Sequence, residues 1–180
     1  MKVLCFGDSN TYGYDPRSWL GGRYDAGSRW VDLLALKTGW EIQNQGQNGR
    51  EIPRRPVSIP MDTDLLVVML GTNDLLQGCT PQGTAERMEQ FLTGLDFERE
   101  KILLVSPPPM TFGEWVQEEH LAADSACLAG LYRELAARLG VRFADAGLWG
   151  VALAYDGVHF TEQGHKSFAE GLYREIFKDR

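Results

Sequence analysis

The 180-residue sequence has no long hydrophobic run and no excess of basic side chains. Its longest stretch of aliphatic residues, 65–70, is far shorter than the roughly 20 residues that a membrane-spanning helix needs. Lys plus Arg is 18 and Asp plus Glu is 25, which gives a net charge of −7 and a pI near 5.0. So acidic a chain is poorly suited to binding nucleic-acid phosphates or anionic lipid. We therefore expect neither nucleic acid nor a membrane as a partner.

Cysteine is also scarce. Cys5, Cys79 and Cys127 are scattered with no repeated spacing, which is typical of free thiols in a reducing compartment and offers no set of metal ligands. The apolar run at 3–6 is too short for the hydrophobic region of a secretory signal. These features lead us to expect a cytoplasmic protein.

The composition is that of an ordinary globular protein, with 43% hydrophobic residues and 24% charged residues. Short apolar runs alternate with helical patterns along the chain. Ser28, Thr80-Pro81 and Thr161 are predicted to begin three of the helices. Strands are predicted at 2–6, 40–43, 64–70, 101–106 and 141–144. This alternation predicts one α/β domain over residues 1–180, a three-layer α/β/α sandwich around a parallel sheet of about five strands. Right-handed crossovers limit the strand order to a flavodoxin-like or a Rossmann-like one, and we expect the flavodoxin-like sheet.

Four segments lack a clear pattern, and each follows a predicted strand. They are residues 8–27, 46–63, 107–123 and 145–160. Open parallel sheets bind ligands beyond the carboxyl ends of their strands. We therefore expect these segments to gather at one edge of the sheet and to carry the functional residues.

Ser9 directly follows the first predicted strand, in the sequence Gly-Asp-Ser-Asn at 7–10. A serine at such a place more often caps a turn or a helix than takes part in chemistry. A nucleophilic serine needs a base, because its hydroxyl is protonated at neutral pH. Of the three histidines, His120 lies in a charged stretch and His165 lies within the last helical pattern. His159 is the one in a loop, and is therefore the candidate base.

Asp156 precedes His159 by three residues, across a turn that contains glycine. A carboxylate at that spacing can fix the tautomer of the imidazole and stabilise its protonated form. The simpler interpretation is a solvated surface turn, since Asp-Gly is a common turn signal.

Asn73 lies in Gly-Thr-Asn-Asp at 71–74, after the strongest predicted strand. Its side-chain amide could donate a hydrogen bond to an oxyanion. Gly46 and Gly49 follow the second strand, where glycine permits either a close backbone approach or a positive φ. The backbone N–H of one of them could be a further donor.

Taken together, these four positions resemble, in order, the four motif blocks of the SGNH (GDSL-type) hydrolases over residues 3–177. Asn10 departs from the family's pattern, because it stands where the name-giving block has leucine. The stretches 67–74, 103–109 and 143–147 look most like those of bacterial arylesterases and acetylesterases.

The resemblance implies a role for each residue. Ser9 would attack a short-chain, acetyl-type ester, His159 would be the base, and Asp156 would orient His159. The N–H groups of Ser9 and Gly49, with the amide of Asn73, would hold the oxyanion, and Gly49 fits the family's pattern better than Gly46. No metal and no organic cofactor is implied. The partner would be a small-molecule ester, and the similar arylesterases suggest a homo-oligomer.

Aromatic side chains could complete a substrate site. Tyr14, Trp19 and Trp149 are predicted to bind substrate, although aromatic residues more often serve core packing. An acyltransferase using the same residues with a dry acceptor site remains an alternative. A flavodoxin-like nucleotide-binding module is disfavoured because the sequence has no glycine-rich phosphate motif. An α/β-hydrolase is disfavoured because no Gly-x-Ser-x-Gly elbow occurs.

Overall fold

The computed structural model of the chain describes residues 1–18, 20–55 and 57–178. Within these residues, five strands form the parallel sheet that the βα alternation predicts, and their order is β2-β1-β3-β4-β5, which is the flavodoxin-like order. Its strands are β1 (Lys2–Gly7), β2 (Glu41–Gly46), β3 (Leu65–Met69), β4 (Ile102–Ser106) and β5 (Arg142–Asp145).

Helices cover both faces of this sheet, which makes the predicted three-layer α/β/α sandwich. The helices are α1 (Ser9–Tyr12), α2 (Trp30–Thr38), α3 (Thr72–Leu76), α4 (Pro81–Thr93), α5 (Glu119–Leu139) and α6 (Glu162–Ile176). Short 3₁₀ turns occur at Arg99–Lys101 and Ala146–Leu148. Helices α4 and α5 pack together on one face, and α2 and α6 pack together on the other.

Side chains of the central strands alternate between two hydrophobic cores, because successive strand residues point to opposite faces. Leu66 and Val68 of β3 face α4 and α5, whereas Leu65, Val67 and Met69 face α2 and α6. All five are buried. A strand that is apolar on both faces must be covered on both, which is why residues 65–70 form one continuous apolar run in the sequence.

The predicted helix starts are confirmed at two places and wrong at a third. The hydroxyls of Thr80 and Thr161 accept the N–H groups of Gly83 and Gly164, at 3.1 and 2.9 Å. Ser28 does not cap α2, which begins at Trp30 and has no side-chain cap. Its hydroxyl is instead 3.4 Å from Glu162.

Strand ends and short helices differ from the sequence prediction in detail. Strand β2 extends to Gly46, three residues beyond its predicted end, because it continues to pair with β1 up to Gly7. The segment after β3, which reads as a turn, forms the single-turn helix α3. No helix in the described residues is both long enough and apolar enough to cross a membrane.

Candidate active site

Ser9 is the first residue of α1, immediately beyond the carboxyl end of β1. The chain turns sharply there because the carboxylate of Asp8 accepts the backbone N–H of Asn10 at 3.0 Å and so caps the helix. Burial raises the pKa of Asp8 to about 6, against the lowering effect of that hydrogen bond. Ser9 is left only 6% exposed, at the edge of the sheet where the sequence places ligands.

The side chains of Ser9, His159 and Asp156 form one hydrogen-bonded chain, although Ser9 and His159 are 150 residues apart. The Ser9 Oγ lies 3.0 Å from His159 Nε2, and Asp156 Oδ2 lies 2.6 Å from His159 Nδ1. An ionised carboxylate only accepts hydrogen bonds, so Nδ1 carries the proton and donates it to Asp156. Nε2 is then free to accept the Ser9 hydroxyl, which is the arrangement in which a histidine can serve as base.

Asp156 is fixed by the turn that it belongs to. Its Oδ1 accepts the backbone N–H groups of Val158 and His159, each at 2.9 Å. Burial alone would raise the pKa of Asp156, but hydrogen bonds from the His159 ring and from these two N–H groups together lower it. Asp156 therefore stays ionised at neutral pH, and only Oδ2 is left to hold the imidazole.

Asn73, at the start of α3, lies in the same cavity as Ser9 and His159. Its Nδ2 donates to the backbone carbonyl of Arg50 at 3.1 Å. A primary amide carries two N–H donors, so this bond fixes the amide while leaving one donor for a ligand.

The structure distinguishes between the two candidate glycines. The N–H of Gly46 donates to Asn44 Oδ1 at 2.8 Å, and a side chain at Gly46 would collide with the backbone of Tyr12. Glycine at position 46 therefore allows the end of β2 to pack closely against α1. Gly49 has φ +70° and lines the cavity beside Ser9. A non-glycine residue is rarely found at that φ, so glycine is needed for the turn that brings residue 49 to the cavity.

Two charged residues that the sequence did not single out hold the Gly49 loop in place. The Arg50 guanidinium donates to the carbonyls of Gly7, at 3.0 Å, and of Gln45, and lies over the Phe6 ring. Asp74 accepts the N–H of Ile52 at 3.0 Å. The loop is thereby connected to β1, beyond which Ser9 lies, and to α3, which contains Asn73.

Two aromatic rings flank the imidazole of His159. The ring centroids of Tyr14 and Trp115 lie 4.6 and 4.9 Å from that of His159. Together they border a cavity of about 170 Å³. Its lining residues are Ser9, Tyr14, Asn48, Gly49, Asn73, Trp115 and His159. Asn48 and Trp115 are absent from the predicted site, although both lie in patternless segments that follow strands.

Two other aromatic residues, Trp149 and Trp19, are also predicted to bind substrate. Trp149 does not line this cavity: it packs edge-on against Phe168 at 5.1 Å and lies over Gly171 on α6. Glycine at 171 leaves the room that the indole fills, so Trp149 belongs to the packing between the sheet and α6. Trp19 lies outside the described residues.

The remaining two histidines, His120 and His165, are not hydrogen-bonded to the side chains of Ser9, His159 or Asp156 in the described residues. His120 is exposed and pairs with Glu118 at 3.2 Å. His165 is buried in α6, and its Nδ1 lies 3.4 Å from the N–H of Trp30. Burial lowers the pKa of His165 to about 3, which keeps it neutral. In the part of the chain that the structure describes, no group of three or more His, Cys, Asp or Glu side chains is arranged to hold a metal ion.

Comparisons with known proteins show the family and the fold. The model of the GDSL-like lipase/acylhydrolase family matches residues 5–167. The fold superimposes on an aryl esterase of M. smegmatis with 27% sequence identity and a TM-score of 0.80, covering 98% of each chain. It also superimposes on a carbohydrate acetylesterase family member from Sinorhizobium meliloti with 27% identity and a TM-score of 0.81, covering 98% of this chain and 97% of that one. A search of curated proteins gave no significant match.

Proposed function

Because the chain belongs to the GDSL-like lipase/acylhydrolase family and is a carboxylic ester hydrolase, we propose that it cleaves short-chain, acetyl-type esters through an acyl-enzyme on Ser9. The observation that carries this proposal is the continuous contact from Ser9 through His159 to Asp156, which opens into a cavity bordered by Gly49 and Asn73.

In the first half of the reaction, Ser9 Oγ attacks the ester carbonyl while His159 Nε2 takes its proton. Asp156, ionised at neutral pH, stabilises the imidazolium that forms. The carbonyl oxygen becomes an oxyanion, which accepts hydrogen bonds from the N–H groups of Ser9 and Gly49 and from the free amide N–H of Asn73. The tetrahedral species collapses when the carbon–oxygen bond to the alcohol breaks and His159 returns its proton to that oxygen.

In the second half, water repeats these steps. His159 removes a proton from a water molecule, whose oxygen attacks the acyl carbon on Ser9. The same donors hold the second oxyanion. The acyl–oxygen bond then breaks, the carboxylic acid leaves, and Ser9 recovers its hydroxyl proton from His159. The reaction therefore uses the ester, one water molecule and the side chains and N–H groups named above.

The cavity beside Ser9 favours a short acyl group. Its volume of about 170 Å³ is below the roughly 300 Å³ at which pockets for drug-sized ligands begin, and the rings of Tyr14 and Trp115 form its walls. We expect kcat/KM for p-nitrophenyl esters to be highest for acetate or propionate and to fall by at least about tenfold by octanoate, since each decade needs only about 1.4 kcal/mol of lost binding. A preference for octanoate would contradict this assignment of the acyl site.

A larger cavity adjoins the first and shares its Tyr14 and Trp115 walls, so we assign it to the alcohol. Its volume is about 580 Å³. Its lining residues are Tyr14, Pro16, Arg17, Ser18, Glu114, Trp115, Tyr155 and Asp156. This lining combines aromatic faces with charged groups, which suits an alcohol larger than the acyl group. Acetylated sugars should be compared with aryl acetates, since the similar structures include both an aryl esterase and a carbohydrate acetylesterase family member.

The proposed nucleophile is tested by covalent labelling. A fluorophosphonate should attach to Ser9 alone, because among the described residues it is the one serine whose hydroxyl is hydrogen-bonded to an imidazole. Mass spectrometry of the digested protein should locate the label, and an excess of p-nitrophenyl acetate should slow its attachment. EDTA should leave hydrolysis unchanged. Labelling at another serine, or loss of activity with chelator, would contradict the proposal.

Asn73→Ala tests the proposed oxyanion donor. Removing one such donor lowers kcat by about 10²- to 10³-fold, or about 2.7–4 kcal/mol of transition-state stabilisation. KM should change far less, because the hydrogen bond strengthens only as charge develops on the oxygen. Steady-state kinetics with p-nitrophenyl acetate measure both constants. A raised KM with unchanged kcat would instead make Asn73 a contact to the bound substrate.

A further inference from the structure

Asn10 makes two hydrogen bonds that grip the backbone on both sides of His159. Its Nδ2 donates to the carbonyl of Val158 at 3.1 Å, and its Oδ1 accepts the N–H of Phe160 at 2.9 Å. All four residues are buried. The carboxamide thus pairs with the chain in the way that a neighbouring backbone peptide would in a sheet, using one donor and one acceptor.

Through these two hydrogen bonds, Asn10 links the proposed nucleophile directly to the backbone that carries the proposed base. Asn10 is bonded covalently to Ser9, and its two hydrogen bonds enclose His159. Asp156, by comparison, controls the far side of the imidazole through Nδ1. The 3.0 Å separation between Ser9 Oγ and His159 Nε2 therefore depends on where Asn10 holds the loop.

Asn10 is itself held from two directions. Its backbone N–H donates to the carboxylate of Asp8, and its carbonyl accepts the indole N–H of Trp30 at 2.9 Å. Trp30 is buried in the core between the sheet and helices α2 and α6, where its ring packs against Phe168. Asn10, which holds the His159 loop, is thus itself hydrogen-bonded to a residue of the buried core.

Few side chains could replace Asn10 at this position. Leucine, which the family's name-giving block has there, offers neither a donor nor an acceptor. An ionised aspartate keeps the acceptor for Phe160 but presents a second oxygen to the carbonyl of Val158, where a donor is needed. We propose that Asn10 is a positioning residue that sets the alignment of His159 with Ser9, and this proposal rests on the esterase function proposed above.

The test replaces Asn10 by leucine and by aspartate. Because misplacement of a reacting group by about 1 Å can cost about 10²-fold in rate, we expect kcat for p-nitrophenyl acetate to fall by up to that factor. KM should change little, and the rate of Ser9 labelling by a fluorophosphonate should fall with kcat. The labelling reaction reports the alignment of Ser9 and His159 without depending on the ester's alcohol.

The Asn10→Asp variant should also recover as the pH falls. A protonated carboxyl has an O–H donor and a carbonyl acceptor, so it restores both hydrogen bonds, and burial favours the protonated form. The ratio of its kcat to that of the unaltered protein should rise between about pH 8 and about pH 5.5. Taking the ratio at each pH removes any pH dependence that is common to the two proteins.

Asn44→Asp is the matched control. The Asn44 carboxamide also makes one donor and one acceptor bond to backbone, to Thr11 and from Gly46, each at 2.8 Å, but does not contact the His159 loop. Its replacement should cost stability without a comparable loss in the labelling rate of Ser9. Thermal unfolding measures the stability of each variant, and kinetics are measured well below the lowest melting temperature.

One result would overturn the inference while leaving the proposed function in place. If both Asn10 variants kept kcat and the labelling rate within about threefold while only their melting temperatures fell, Asn10 would be structural in the same sense as Asn44. If Asn10→Leu failed to fold, the isosteric Asn10→Asp variant would decide by the same criteria. An unaltered protein that neither hydrolysed esters nor reacted with fluorophosphonate would overturn the proposed function itself, which separates the two failures.

Discussion

Replacing His159 by alanine should lower kcat/KM for p-nitrophenyl acetate by about 10⁶-fold, which is the size of the loss in kcat when the histidine or the serine of a Ser-His-Asp protease is removed. The size of this effect follows from the geometry. Among the described residues, His159 Nε2 is the one basic atom hydrogen-bonded to Ser9 Oγ, at 3.0 Å. Without it, Ser9 remains protonated and is a poor nucleophile.

His120→Ala and His165→Ala are the matched controls. His120 is exposed and pairs only with Glu118 in the described contacts, so its loss should leave activity unchanged. His165 is buried against Tyr24 and Phe160, so its loss should lower stability but leave most of the activity at temperatures well below unfolding. Should His165→Ala prove as damaging as His159→Ala, with the fold intact by circular dichroism, the assignment of His159 as base would fail.

Asp156→Asn should lower activity by less than His159→Ala but by more than the two control substitutions. An asparagine must turn its oxygen toward the N–H groups of Val158 and His159, because they need an acceptor. Its NH₂ group then faces Nδ1, which selects the tautomer that cannot accept the Ser9 proton. The corresponding change in a serine protease costs about 10⁴-fold in kcat. We expect a loss below that of His159→Ala, because the imidazole remains in place.

The parallel sheet, its cover of helices on both faces and the edge that carries the candidate site were predictable from the sequence. Continuous apolar runs such as 65–70 require a sheet covered on both faces, and parallel strands bring their carboxyl ends to one edge. Ser9, Gly49 and Asn73 follow three such strands, so their approach to one another depends mainly on topology. Helix α3 was not predicted because it is a single turn, too short for a helical periodicity to be visible.

The role of each aromatic side chain could not be predicted, because it depends on contacts that are distant in sequence. Trp115 and Trp149 both lie in segments after strands, and nothing in their local sequence separates them. The structure brings Trp115 to His159, whereas Trp149 follows the 3₁₀ turn at Ala146–Leu148 and fills the space above Gly171. The hydrogen bonds of Asn10 to Val158 and Phe160 could not be predicted for the same reason, because they join residues about 150 positions apart.

Replacing Ser9 by alanine should abolish turnover while leaving the fold intact, a loss on the order of 10⁶-fold or about 8 kcal/mol of transition-state stabilisation. The fold should survive because α1 does not depend on the hydroxyl. Its cap is the hydrogen bond from the N–H of Asn10 to Asp8, and the Ser9 carbonyl accepts the N–H groups of Gly13 and Tyr14, which alanine preserves.

Kinetics and structure should be measured together on this variant. Ser106→Ala is the matched control, because Ser106 is also a buried serine at this edge of the sheet, where it ends β4. Its hydroxyl donates to the carbonyl of Pro107 at 3.5 Å, whereas that of Ser9 contacts a histidine. That variant should retain both hydrolysis and labelling. Ser9→Ala should show no pre-steady-state burst of p-nitrophenol, since no acyl-enzyme can form. If Ser9→Ala instead kept kcat within about tenfold, His159 would be activating water directly and the ester would be cleaved without a covalent intermediate.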